Sequence, residues 1–308
     1  MKNITFKWFA GWLWMLAMFA AVLIPPAHAE LAHGERGIVA TVHPLATDAA
    51  INAFKRGGNA IDAAVAAALT LGVVDSHNSG IGGGCFMLIR LADGKFVAID
   101  GREMAPAAAT RDMYVRNGTA DTKLSQTGPL ATGTPGALAA YATACERHSR
   151  LPLNDHLLAA AEIAEHGFKV DEKYAGRLKN FAAVFAEFEG SRNVFLKPGG
   201  QPWAEGDTLR QPDLARTYRA IAEHGTGWFY GGPFAQMVGD WMKNNGGILT
   251  ADDFRNYRIK FREPIMTTYR GFKIVSFPPP SSGGVHVAQM LNILQLFDLK
   301  SLGTTHRT

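Results

Sequence analysis

The sequence predicts an α/β fold in which sheet strands lie beside closely packed helices. Three observations lead there. Residues 57–66 read Gly-Gly-Asn-Ala-Ile-Asp-Ala-Ala-Val-Ala, the opening of an alanine-filled helix. A glycine loop follows, Ser79-Gly80-Ile81-Gly82-Gly83-Gly84. Two apolar runs, 85–91 and 95–100, then flank Asp93-Gly94, a hairpin turn signal. Small side chains allow close approach on several faces, so the alanine helix is expected between other layers. The 308 residues are 47% hydrophobic and 19% charged, ample for a large core and unlike a disordered chain.

Residues 1–29 stand apart. Lys2 and Lys7 begin them, an apolar run covers 8–24, and Pro25-Pro26 leads to Ala27-His28-Ala29. A basic start, an apolar stretch and a small-x-small site are the parts of a secretory signal peptide, predicted to be cut after Ala29. A retained anchor is the rival reading, but the run is near the lower length limit for a membrane span. The expected protein is therefore exported, periplasmic or secreted, and free of the membrane after cleavage. Losing Lys2 and Lys7 takes the formal net charge from +4 to +2. A near-neutral chain without a basic run gives no support to nucleic-acid binding.

Along the remaining chain, residues 37–41 read as a short strand. Thr47 is placed to cap a helix reaching Arg56, with Gly57 as its left-handed stop. Asn59 and Asp62 form a capping pair for the next helix, on which Ile61, Val65 and Leu69 share a face. The hairpin runs end just before Arg102, which falls on a loop at a strand end. Helices are predicted over 136–146, 153–166, 213–224 and 233–245. Residues 269–277 read as one strand. Pro278-Pro279-Pro280 breaks it, and Ser281-Ser282-Gly283-Gly284 opens an amphipathic helix to about Phe297.

Several motifs have plain structural readings. The loop at 79–84 follows a helix and opens a strand, the reverse of a dinucleotide fingerprint. It reads as a tight crossing of backbones or as an amide nest beside a site. Ser281 and Ser282 lack a nucleophile elbow and read as a helix cap, with His286 packing or facing solvent. Thr250 before Asp252-Asp253 reads as a helix start with acid in its first turn. Cys85 and Cys145 read as buried thiols, although export would permit a disulfide. The ten histidines form no metal-binding spacing. Arg102 beside Glu103 could be a surface ion pair of little worth. Its place at a strand end beside a glycine loop favours a second role, since a guanidinium grips a carboxylate with two parallel hydrogen bonds.

These blocks together resemble the gamma-glutamyltranspeptidase family of N-terminal nucleophile hydrolases. The matching residues are Gly57-Gly58-Asn59-Ala60-Ile61-Asp62-Ala63-Ala64, Ser79-Gly80-Ile81-Gly82-Gly83-Gly84 and Arg102-Glu103-Met104-Ala105-Pro106. Gly133-Thr134-Pro135-Gly136, Ala164-Glu165-His166-Gly167-Phe168, Gly246-Gly247-Ile248-Leu249-Thr250-Ala251-Asp252-Asp253 and Pro278-Pro279-Pro280-Ser281-Ser282-Gly283-Gly284 continue the series in family order. One departure is Val74-Asp75-Ser76, where the family usually has Val-Glu-Pro.

The resemblance implies a four-layer αββα sandwich, incomplete in this chain, with 30–308 supplying part of a large subunit. It implies a proenzyme that cuts itself, and a threonine at the new N-terminus that attacks a gamma-glutamyl amide with its own amine as base. Thr304-Thr305-His306 has the letters of that motif but stands too near the proline-serine block. The nucleophile is therefore expected downstream of Thr308. Arg102 is the counterpart of the family's carboxylate-binding arginine. The expected substrates are glutathione and other gamma-glutamyl compounds, the expected partner is the small subunit from the same precursor, and no cofactor or metal is implied. Residues 30–308 alone are expected to be inactive. The alternatives are a non-catalytic truncated remnant, or a same-fold acylase acting on cephalosporin side chains or poly-gamma-glutamate.

Overall fold

The computed structural model describes residues 32–35, 37–299 and 301. The expected signal peptide at 1–29 and Thr304-Thr305-His306 lie outside the described residues. The described residues divide between Ile38 and Val39, and every element below belongs to the second unit.

Helix α1 spans Pro44–Lys55 and α2 spans Ala60–Val74. Proline at the first helical position suits α1, because that position needs no N–H. His43 rather than Thr47 caps it, its Nδ1 accepting from the Leu45 amide at 3.2 Å. Thr47 instead meets the Thr41 hydroxyl at 2.8 Å. The expected cap of α2 forms in full. Asn59 Oδ1 accepts from the Ile61 and Asp62 amides, and Asp62 Oδ2 accepts from the Asn59 amide at 2.7 Å.

Helix α2 is buried on nearly every side, as its alanines require. Val65, Leu69 and Val73 are fully buried, and each contributes about 1.5–3 kcal/mol relative to exposure. Gly72 lets the Tyr218 hydroxyl pass, since a Cβ there would stand 2.8 Å from it. That hydroxyl donates to the Leu69 carbonyl at 3.1 Å.

Strands β1, Cys85–Arg90, and β2, Phe96–Gly101, form the expected hairpin. Its loop turns through Gly94 at φ +83°, the left-handed position of a three-residue connection. Register places Met87 opposite Ile99 and Phe86 opposite Asp100. Alternation then turns Cys85, Met87 and Ile89 to one face, and Phe86 and Leu88 to the other. The first face packs on helix α3, Ala137–His148. Leu88 on the second face remains 38% exposed.

Further helices include α4 (Leu153–His166), α5 (Glu172–Glu187), α6 (Pro212–His224) and α7 (Pro233–Asn244). Helix α4 packs against both α2 and α6. Strand β3, Lys260–Arg262, then returns to pair antiparallel with β2, Asp100 opposite Lys260 and Ala98 opposite Arg262.

Two strand expectations are corrected. Residues 37–41 carry no strand, because an apolar run becomes one only where a neighbouring backbone completes its hydrogen bonds. The run at 269–277 belongs to a hairpin of β4, Ile265–Tyr269, and β5, Phe272–Ser276. Arg270 and Gly271 turn it, both at positive φ (48° and 84°), the pattern of a two-residue hairpin turn. Helix α8, Ser282–Leu294, follows, capped by Ser281, whose Oγ accepts from the Gly283 amide. No helix among the described residues is long and apolar enough to cross a membrane.

Candidate functional site

Arg102 sits one residue past β2, at the rim of the three-stranded sheet. Its side chain is 63% exposed, with Nε 3.3 Å from Glu103 Oε2. An ion pair this open to water contributes little. Among the described residues, no guanidinium N–H of Arg102 makes a hydrogen bond, and its one ionic contact is the Glu103 carboxylate at Nε. The guanidinium carbon stands 5.9 Å from the centre of the Phe86 ring, which in turn packs against the Phe277 ring at 4.5 Å, tilted by 31°. The aromatic shelf narrows the directions the arginine can take.

The backbone of Arg102 is held more firmly. Its N–H donates to Asp100 Oδ1 at 2.9 Å. Its carbonyl accepts from the Tyr257 hydroxyl at 2.9 Å. Asp100 is buried on β2, and its Oδ2 accepts from Arg262 Nε and Nη2 at 2.9 and 2.8 Å. Tyr257 stacks on Tyr230, whose hydroxyl donates to the Pro135 carbonyl at the entry to α3. Gly136 is required there, because any Cβ would strike the Tyr257 hydroxyl and the Gly101 carbonyl.

The glycine loop makes a tight crossing of backbones. Gly83 offers its carbonyl to the Gly136 and Ala137 amides at 2.9 and 3.0 Å, which caps α3 from outside. A Cβ on Gly84 would stand 2.7 Å from Glu103 Oε2 and from the Gly101 carbonyl. Beside the loop lies a cavity of about 480 Å³, lined among others by Ser79, Cys85, Glu103 and Tyr141. Glu103 thus faces the cavity, while Arg102 stands on the rim outside its lining. Burial, reinforced by the Glu103 charge and opposed by a hydrogen bond from Tyr141, pushes the Cys85 thiol up to about 12. Burial likewise pushes Cys145 up to about 11. Both cysteines are free thiols, Cys145 buried and Cys85 half-buried.

At the departure Val74-Asp75-Ser76, Val74 and Asp75 line a second cavity of about 700 Å³, Ser76 lines the first, and Asn78 lines both. Asp75 closes α2, its N–H donating to the Leu71 carbonyl at 2.8 Å. The Ser76 and Tyr174 hydroxyls meet at 2.6 Å, and His77 Nε2 lies 3.2 Å from Asp75 Oδ1. Burial holds His43, on the same cavity, below the usual imidazole range, while Asp171 and Asp75 pull it upward.

The other candidate residues take their structural readings. Thr250 and Asp253 form a reciprocal capping box on the short helix Ala251–Arg255. Asp253 also ties down the Ala107 amide at 2.7 Å. The exposed group Glu162, Glu165 and His166 could hold a cation by spacing, but Arg219 already bridges both carboxylates at 2.6 and 2.5 Å. Asp100, Arg262 and Tyr257 were not legible as site residues. The signal was present for Asp100, an acid inside the apolar strand Phe96–Gly101, where burial demands a partner.

The model of the family described as gamma-glutamyltranspeptidase matches residues 46–308. The chain belongs to the gamma-glutamyltranspeptidase family. It is 42% identical over 297 residues to the glutathione hydrolase proenzyme of Escherichia coli K12, covering 92% of this chain and 51% of that protein. It is 43% identical over 280 residues to the acylase ACY 1 proenzyme of Pseudomonas sp. V22, covering 88% of this chain and 50% of that protein. The chain thus spans about half the length of these curated relatives. Among solved structures, the gamma-glutamyltranspeptidase of Helicobacter pylori superposes with a TM-score of 0.88 at 38% identity, over 90% of this chain and 80% of that one. The likeness establishes the N-terminal nucleophile hydrolase fold. In this gamma-glutamyltranspeptidase-family chain the helical layer lies on one face of the sheet, and Phe86, Leu88 and Asp100 occupy the other.

Proposed function

We propose that this chain is the donor-holding, large-subunit portion of an exported gamma-glutamyl hydrolase or transferase acting on glutathione and related gamma-glutamyl compounds. Arg102 grips the donor's α-carboxylate through the paired N–H groups of its terminal nitrogens, the edge away from Glu103. A threonine from sequence beyond Thr308 attacks the gamma-glutamyl carbonyl and forms an ester. The leaving amine takes the proton, and water or an amino acid then takes the acyl group. Arg102 works by positioning, since it holds the donor while another side chain reacts. The partner is the small subunit cut from the same precursor.

The observation that supports this reading is a guanidinium whose terminal nitrogens make no hydrogen bond among the described residues, on a backbone fixed at both its N–H and its carbonyl. Each hydrogen bond from a charged donor is worth about 1.5–3 kcal/mol. Arg102→Gln in the full-length protein is therefore expected to raise the KM for a gamma-glutamyl anilide roughly hundredfold. Unchanged donor KM would remove the reading.

The acylase relative supports a second reading, in which the same fold removes acyl side chains from cephalosporins or trims poly-gamma-glutamate. Comparing full-length protein on these substrates and on a gamma-glutamyl anilide separates the two. A higher kcat/KM on the non-glutathione substrates favours the acylase.

A further inference from the structure

Arg102 is positioned through its main chain, and the group that positions it is an ion pair formed across the sheet. Asp100 is 4% exposed, and its two oxygens have separate tasks. Oδ1 accepts the Arg102 N–H at 2.9 Å. Oδ2 accepts two N–H groups of Arg262 at 2.9 and 2.8 Å. A carboxylate with both oxygens committed cannot rotate, so the Arg102 amide that it holds cannot tilt. Asp100 is withdrawn from water while the Arg262 side chain is 34% exposed, so the cost of burying the carboxylate offsets much of the attraction and added stability is a poor account of the pair. Direction is the better account. The pair ties the end of β2 to β3 and fixes the plane from which the Arg102 side chain leaves the sheet.

We propose that the Asp100–Arg262 pair is the positioning element for Arg102, setting the point from which the guanidinium meets the donor carboxylate. This rests on the reading of Arg102 given above. Neither member touches the donor. Their effect passes through the Arg102 backbone, and a displacement of about 1 Å in a substrate-holding group can cost roughly a hundredfold.

The test is steady-state kinetics of the full-length protein on a gamma-glutamyl anilide, with Asp100→Asn, Arg262→Lys, Arg262→Gln, Arg102→Gln and the Asp100→Asn/Arg102→Gln double variant. Asp100→Asn and Arg262→Gln are expected to lower kcat/KM about tenfold, chiefly through KM. Arg262→Lys, which keeps the charge and one hydrogen bond, should recover to within about threefold of wild type. In the Arg102→Gln background, Asp100→Asn should add less than about twofold, because the residue it positions is already gone. The proposal is overturned if Asp100→Asn and Arg102→Gln multiply, which marks a general structural role, or if Arg262→Gln leaves KM unchanged. If Asp100→Asn fails to fold, the two Arg262 variants decide alone. An unaffected Arg102→Gln protein would overturn both this proposal and the donor reading. An impaired Arg102→Gln beside normal Arg262 variants would overturn this one only.

Discussion

His156 lies buried against Asp62, its Nε2 3.2 Å from Oδ1, at the point where α2 and α4 begin. Asp62 also accepts from the backbone amides of Asn59, Arg150 and Leu151. One carboxylate thus joins the start of α2 to the turn that precedes α4. Replacing one of its oxygens by an NH2 group leaves two of these donors without an acceptor. Asp62→Asn is expected to lower unfolding free energy by about 3 kcal/mol at pH 7, measured by urea denaturation.

The same residue gives a pH dependence. Burial raises the Asp62 carboxyl, but the amides of Arg150, Asn59 and Leu151, with His156, outweigh it and hold the group below the ordinary carboxylate range. A value depressed on folding contributes stability above the unfolded-state value of about 4, and that stability is lost as pH falls through the folded-state value. The gap between wild type and Asp62→Asn should be widest at neutral pH and shrink in acid. A gap independent of pH would sink this assignment.

Gly136 and Gly227 make a matched contrast. Alanine at Gly136 drives its methyl into the Tyr257 hydroxyl and the Gly101 carbonyl, whereas Gly227, in an exposed turn of helix, has nothing within 4 Å of an added Cβ. Gly136→Ala should destabilise by about 1–3 kcal/mol and raise donor KM as Tyr257 releases Arg102. Gly227→Ala should be neutral or stabilising by up to about 1 kcal/mol. Equal urea midpoints for the two variants would contradict this packing.

The two thiols should be inert. At pH 8 a thiol raised to about 12 or about 11 is almost wholly protonated, and the thiolate is the reactive form. Iodoacetamide labelling followed by peptide mapping should leave Cys85 and Cys145 unmodified in native protein and label both in guanidinium chloride. Rapid native labelling of Cys85 would show that the cavity beside Glu103 is more open to reagents than its lining indicates.

Local grammar was legible and long-range pairing was not. Asn59 with Asp62, Asp93 with Gly94, and Thr250 with Asp253 act over a few residues, so their letters disclose their geometry. The place of Arg102 at a strand end was legible because the two apolar runs around Asp93-Gly94 stop just before it. The turn at Arg270-Gly271 was missed, since arginine at φ 48° has no compositional signature and the flanking apolar residues read as continuous. The His43 cap was missed because a histidine ring is an uncommon acceptor at that position. The Asp100–Arg262 contact joins positions 162 apart, and nothing near Arg262 announces its partner.

That separation has a consequence for how the polypeptide is made. A ribosome delivers residues in order, so Asp100 emerges long before Arg262 can neutralise it. Until then the second strand waits with an uncompensated acid on a nearly finished hairpin. The rim that carries the arginine is consequently among the last parts of this region to mature during translation, whatever the speed at which its helices form. A nascent chain stalled before residue 260 would hold most of its helical layer and still lack a formed grip.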